Sequence, residues 1–81
     1  MRVRVKLFAA AKQLAGQVVV QVELPESATV ADLRRQLAVR FPALRHWVPH
    51  LLFAVDHRYA TDDVSLAPDA EIAGFPPVSG G

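Results

Sequence analysis

Eighty-one residues allow one domain with one core, because at this size folding buries only roughly 60 to 65% of the surface that the unfolded chain exposes. Hydrophobic residues make up 52% of the chain, enough for a core without staples, and the absence of cysteine excludes disulfides, thiolate metal sites and a sulfur-carrying thiol side chain. Nine basic against eight acidic residues leave a net charge of +1, too balanced for a dedicated nucleic-acid or anionic-membrane binder.

The first residues, Met1 to Lys6 followed by the apolar Leu7 to Ala11, have the basic-then-apolar order of a signal peptide, but the apolar part is too short and Lys12 breaks it. No apolar run approaches the roughly 20 residues needed to span a bilayer. No membrane association is expected, and the cytoplasm is the expected compartment.

Arg2 to Phe8 alternates, with Val3, Val5 and Leu7 on one face and Arg2, Arg4, Lys6 and Phe8 on the other, which predicts a half-buried strand. Ala9 to Leu14 is rich in helix formers and Gly16 is placed to end a short helical turn. Val18 to Leu24 alternates again, with Val18, Val20, Val22 and Leu24 on one face, and predicts a second strand antiparallel to the first. Pro25 to Ala28 reads as a turn. Thr29 then has the position of an N-cap, and Asp32 three residues on completes an approximate capping box.

The helix that follows carries Val30, Leu33, Leu37 and Phe41 at the spacing of one buried stripe, with Arg34, Arg35 and Arg40 assigned to its wet face, and Pro42 stops it. Ala43 to His50 is expected to be irregular, with Trp47 over a core edge. Leu51 to Val55 reads as a central strand, Asp56-His57 as a tight turn, and Arg58 to Ala60 as a minor strand. Thr61 to Asp63 and Ala67 to Asp69 are turns, with Val64 and Leu66 as anchors between them. Ala70 to Phe75 is the last strand, with Ile72 and Gly74 on one face and Glu71, Ala73 and Phe75 on the other. The order predicts an α+β roll: a mixed sheet of about four or five strands with one main helix across it.

The chain ends on Phe75-Pro76-Pro77-Val78-Ser79-Gly80-Gly81. Two prolines fix φ, bias the segment towards polyproline II and remove two donors that could have continued the sheet. Two glycines without Cβ atoms fit a slot too narrow for other residues. Extended, the stretch from Pro76 to Gly81 would reach roughly 20 Å, enough to thread a terminal carboxylate into another protein's cleft. The plainer alternative is a frayed terminus, although fraying does not require a Pro-Pro base directly after a strand.

Element order and ending together resemble the ubiquitin-like β-grasp proteins, and within them the small, sulfur-carrier subunit of molybdopterin synthase. The residues that carry the resemblance are the tail motif from Phe75 to Gly81, the first strand from Val3 to Ala11, and Phe53-Ala54-Val55-Asp56. The resemblance implies a β-grasp domain over residues 1–75 and a flexible tail over 76–81. Two positions depart from it: relatives usually carry a large apolar residue where Gly74 stands, and Gly-Asp where this chain has Asp69-Ala70.

A terminal carboxylate has an ordinary pKa of about 3.3 to 3.7, so at neutral pH it is an anion and a poor electrophile that must be activated from outside. The sequence has no phosphate-cradling loop and no dinucleotide fingerprint. The resemblance implies that an E1-like adenylating enzyme uses ATP to activate Gly81 and that a sulfur donor then gives a thiocarboxylate. A large subunit, in an expected heterotetramer, would receive the tail through Pro76, Pro77, Val78, Ser79 and Gly80 and pass the sulfur to a cyclic pyranopterin precursor. The chain itself would be a non-catalytic carrier that binds no cofactor and no metal.

For docking, the open sheet face is the candidate, where Phe8, Arg4 and Lys6 lie near Phe75 if the first and last strands are neighbours; an apolar centre with a basic rim suits a partner with an acidic rim. A solvated sheet face with incidental charges is the alternative. His46 and His50 have i, i+4 spacing, but Pro49 lies between them and nothing completes a metal set. His57 reads as a turn residue, and Ser79 has no base near it in sequence. Three other functions stay open: a sulfur carrier for thiamine thiazole, cysteine or tRNA thiolation; a ubiquitin-like protein modifier; and a freestanding enzyme, for which no internal nucleophile or acid–base pair is present.

Overall fold

The alternating N-terminal residues form β1 (Arg2–Leu7), which buries Val3, Val5 and Leu7 and pairs antiparallel with β2 (Val19–Glu23). The computed structural model describes residues 1–77; Val78, Ser79, Gly80 and Gly81 lie outside the described residues. Phe8 is not part of the strand. It is the N-cap of a short helix, α1 (Ala9–Ala15), and its backbone N–H donates to Gly74 O at 3.2 Å. Gly16 ends α1 at φ 73°, where a Cβ would be disfavoured. Val18 departs from its expected buried face: it precedes β2 and is exposed, while Val20, Val22 and Leu24 are buried.

α2 (Val30–Arg40) opens on the capping box read from the sequence. Asp32 N donates to Thr29 Oγ1 at 3.4 Å, and Thr29 N donates to Asp32 Oδ2 at 2.8 Å. Val30, Leu33 and Leu37 face the sheet and are fully buried, whereas Phe41 is only half-buried at the C-cap.

Two corrections follow. The stretch after α2 is not irregular: it contains two 3₁₀ turns, Pro42–Leu44 and Val48–His50, each begun by or containing a proline and each burying one apolar residue, Leu44 and Val48. Arg34 is not on a wet face. Its side chain is 19% exposed, one terminal nitrogen donates to Val48 O (2.6 Å) and Leu51 O (2.9 Å), and the other to Asp62 Oδ1 (2.8 Å). The guanidinium lies 5.0 Å from the centre of the Phe53 ring. Arg34 therefore adds a donor to Val48 O, which already accepts from Leu51 N, and supplies one to Leu51 O, and so pins the second 3₁₀ turn to the helix.

β3 (Leu52–Val55) and β4 (Arg58–Ala60) form a hairpin across Asp56 and His57, both with positive φ (51° and 70°), the geometry of a two-residue primed turn. β5 (Ile72–Phe75) runs parallel to β1 and antiparallel to β3. The sheet order is β2-β1-β5-β3-β4, so β3 is an interior strand, as expected, and β5 is the middle one. α2 covers one face of this mixed five-stranded sheet, over Val3, Val5, Leu7, Val20, Val22, Phe53 and Ile72. This is the predicted α+β roll. No helix among the described residues is long and apolar enough to cross a membrane.

Candidate docking face and tail root

The face of the sheet turned away from α2 carries the candidate residues. Strand parity and register place them in rows: Gln21 beside Arg4; then Val19, Lys6, Ala73, Ala54 and Tyr59; then Leu52 beside Phe75. Because β1 and β5 are neighbours, Phe8 meets Phe75 and Lys6 lies one row away, whereas Arg4, level with the residue before Ile72, is two rows from Phe75. A shallow groove of about 660 Å³ crosses this face, between Arg4, Lys6 and Phe8 on one side and Ala54, Ala73 and His57 on the other.

At the end where the tail begins, the face is aromatic. The Phe8 and Phe75 rings meet edge to face at 6.3 Å and 81°, and Tyr59 meets Phe75 at 5.7 Å and 64°. Phe8 is 41% exposed and Tyr59 74%, with Leu52 beside them at 38%. These side chains form an apolar patch that the domain does not cover. Phe75 sits at its centre, half-buried, as the last residue of β5; Pro76 and Pro77 leave from it. Tyr59 and Leu52 were not legible as site residues. The available signal was the Asp56-His57 turn, which sets Tyr59 opposite Ala54 and so on the same face as Ala73.

The charges divide unevenly. Arg2 Nε donates to Glu23 Oε1 at 2.8 Å, and that hydrogen bond holds the Glu23 carboxyl below its usual range. Arg4 and Lys6 make no ion pair among the described residues, and Lys6 Nζ lies 5.3 Å from the Phe8 ring centre. Across the groove His57 Nε2 is 3.1 Å from Glu71 Oε2, while Asp56 and Glu71 exchange two further hydrogen bonds through Asp56 N and Glu71 N. These contacts clamp the hairpin turn to the start of β5.

The remaining tail residues named from the sequence, Val78, Ser79, Gly80 and Gly81, lie outside the described residues. Gly74 has a clear structural account: a Cβ built on it would stand 3.0 Å from Phe53 Cε1 and 3.3 Å from Leu7 Cδ2. The Phe53 ring occupies the space that a larger side chain would need. No three His, Asp or Glu side chains converge as a metal set among the described residues.

Residues 5–81 match the ThiS family. The chain belongs to the ThiS family. Among relatives in this family, the molybdopterin synthase sulfur carrier subunit of Caenorhabditis briggsae is 38% identical over 81 residues, covering 98% of this chain and 96% of that one. SAMP1 from Haloferax volcanii, a small archaeal modifier protein, superposes with a TM-score of 0.88 at 32% identity over the whole of both chains. A chain of a protein–protein complex of subunits 1 and 2 of molybdopterin-converting factor from Helicobacter pylori has a TM-score of 0.69 at 20% identity over both full chains, a likeness of fold. The ubiquitin-like β-grasp architecture expected from the tail and element order is thus the architecture of the family.

Proposed function

We propose that this chain is the sulfur-carrier subunit of a molybdopterin synthase and that its working group is the terminal carboxylate of Gly81. The observation that supports this most is the near full-length relationship to a molybdopterin synthase sulfur carrier subunit in a chain that itself ends on Pro-Pro-Val-Ser-Gly-Gly. On this reading an ATP-dependent enzyme joins the Gly81 carboxylate to AMP and releases pyrophosphate. A sulfur donor then displaces AMP, leaving a thiocarboxylate. The large subunit receives the tail in its active site, where the sulfur passes to the cyclic pyranopterin precursor.

The fold suits that task. β5 is hydrogen-bonded on both sides, so the base of the tail is fixed, and Phe75 sets it against an apolar patch that a partner can cover. Phe8, Phe75 and Tyr59 are the docking centre and Arg4 and Lys6 its basic rim. Pro76 and Pro77 carry the chain away from the sheet, and Gly80 and Gly81 lie in the partner's narrow channel.

The test is the intact mass of the protein purified from its native cell. A fraction heavier by one sulfur minus one oxygen, localised to Gly81, is expected. If every molecule instead carries a plain carboxylate and isopeptide-linked adducts are found, the reading fails in favour of a second one, a protein modifier. That alternative is favoured by the likeness to the small archaeal modifier protein.

A further inference from the structure

The end of the domain from which the tail leaves is built from three segments. β1 and β5 finish there side by side, with Leu7 opposite Gly74, and Phe75 lies opposite Leu52 at the start of β3. α1 follows Phe8 directly, the first 3₁₀ turn packs on α1, and the second leads through Leu51 into β3. Residues 7–18, 41–55 and 72–75 contain no aspartate or glutamate. They do contain Lys12, Arg45, His46 and His50, all exposed, and Lys6 adjoins them beside Phe8.

Most of the acidic residues lie elsewhere; Asp62 and Asp63 follow β4 at this end, just beyond Ala60, and Asp62 is paired with Arg34. Glu23 pairs with Arg2 at the opposite end of β1, Asp32 caps the start of α2, and Asp56 and Glu71 bind each other before β5 begins. None of Lys6, Lys12 and Arg45 has a carboxylate partner among the described residues. Trp47 and Leu14, 38% and 40% exposed, add apolar surface to these same segments. Unpaired cations beside exposed aromatic surface suit a protein partner that offers acidic groups; with a net charge of only +1, the chain is poorly suited to a nucleic-acid polyanion.

We infer that Lys6, Lys12 and Arg45 form a cationic collar around the tail exit that docks against an acidic rim on the ATP-dependent activating enzyme. This rests on the carrier reading and goes beyond it by placing a second contact on the α1 and 3₁₀-turn surface, outside the sheet face. That step has a particular need of it. The Gly81 carboxylate must approach the phosphates of ATP, two anions that repel, and a collar held by acidic groups outside the cleft offsets that repulsion before the tail enters.

Two variants with the same change in net charge test the placement. Lys12→Gln with Arg45→Gln removes two charges from the collar; Arg35→Gln with Arg58→Gln removes two from α2's flank and the far hairpin. Stopped-flow association with the purified activating enzyme is followed from low salt to near 1 M, where screening acts over about 3 Å. The collar variant is expected to associate about three- to tenfold more slowly at low salt, with the difference gone at high salt and dissociation little changed, while the control stays within about twofold of the parent. Unchanged melting curves confirm that both variants fold. Equal effects of the two variants, or none from either, overturn the collar. If the parent chain neither binds an activating enzyme nor shows the sulfur mass shift, the carrier reading itself falls.

Discussion

Replacing Gly74 gives the sharpest test of the packing under the tail root. The residue adopts ordinary strand geometry, so the backbone itself tolerates a side chain, and Gly→Ala at such a site gains about 0.4 to 1 kcal/mol by restricting the unfolded chain. Against that stands a new Cβ 3.0 Å from Phe53 Cε1 and 3.3 Å from Leu7 Cδ2, with both neighbours 1% exposed and held in the core. Overpacking of one methyl costs about 1 to 3 kcal/mol, so Gly74→Ala should lose about 0 to 2.6 kcal/mol net. Gly74→Val adds two more methyl groups in the same place and should lose about 3 kcal/mol or more. At about 4 to 8 °C per kcal/mol for a domain this small, that is a fall in Tm of roughly 12 to 24 °C.

Urea denaturation of the two variants, of Phe53→Leu, and of the Gly74→Ala, Phe53→Leu pair completes a double-mutant cycle. Shortening Phe53 removes the ring atoms that the new Cβ meets, so the pair should be more stable than the sum of the single losses by about 1 kcal/mol. A Gly74→Val protein as stable as the parent, or a cycle with no coupling, would show that the Phe53 ring does not fill the space in front of Gly74.

Three further outcomes are expected. Arg34→Met strips donors from the carbonyls of Val48 and Leu51 and should destabilise the domain by about 2 to 4 kcal/mol, with early loss of hydrogen-exchange protection around the second 3₁₀ turn; Arg34→Lys, without the guanidinium fork, should recover only part, and a Met variant melting like the parent would refute the role. The hydrogen bond from Thr29 N holds the Asp32 carboxyl below the usual carboxylate range, so its contribution is present above the ordinary aspartate value and is lost as pH falls through the lowered one; the stability gap between the parent and Asp32→Asn should therefore shrink as pH falls below about 4, and a gap independent of pH would count against it. Deleting Gly81, or changing Gly80 to Leu, should leave the melting curve unchanged and abolish formation of the thiocarboxylate, and sulfur transfer by either variant would sink the threading argument.

Much of the fold was legible because its signals are local. The alternation in β1 and β2, the Thr29–Asp32 capping box, the α2 stripe and the Asp56-His57 turn each depend on neighbours within a few residues, and each is found where the pattern put it. What was not legible depends on partners distant in sequence. Arg34 occupies a helix position that reads as solvent-facing, and is half-buried because the carbonyls of Val48 and Leu51, the Asp62 carboxylate and the Phe53 ring, all distant in sequence, gather around it. Val18 continues the apolar alternation of β2 and its carbonyl still accepts from Leu7 N, yet its side chain is exposed because it lies at the sheet's end, beyond the core. For the site, Phe8, Arg4, Lys6 and Phe75 were found through parity and an assumed β1–β5 contact. Tyr59 was missed because a three-residue strand carries no periodicity of its own.

The position of β5 links stability to the task proposed for the chain. β5 comes last in the sequence yet sits in the middle of the sheet, so its two ladders join it to strands distant in sequence. That arrangement raises the mean sequence separation of contacts, which slows folding. In exchange, a strand held on both sides cannot fray back from its end, and Phe75 keeps the base of the tail in one orientation against Phe8 and Tyr59. An edge strand in the same role would peel away whenever a partner pulled on the terminus, and the docking patch and the carboxylate would no longer be presented together. On the carrier reading proposed above, interior placement of the last strand would let a terminal carboxylate act as a reagent without the domain having to loosen to deliver it.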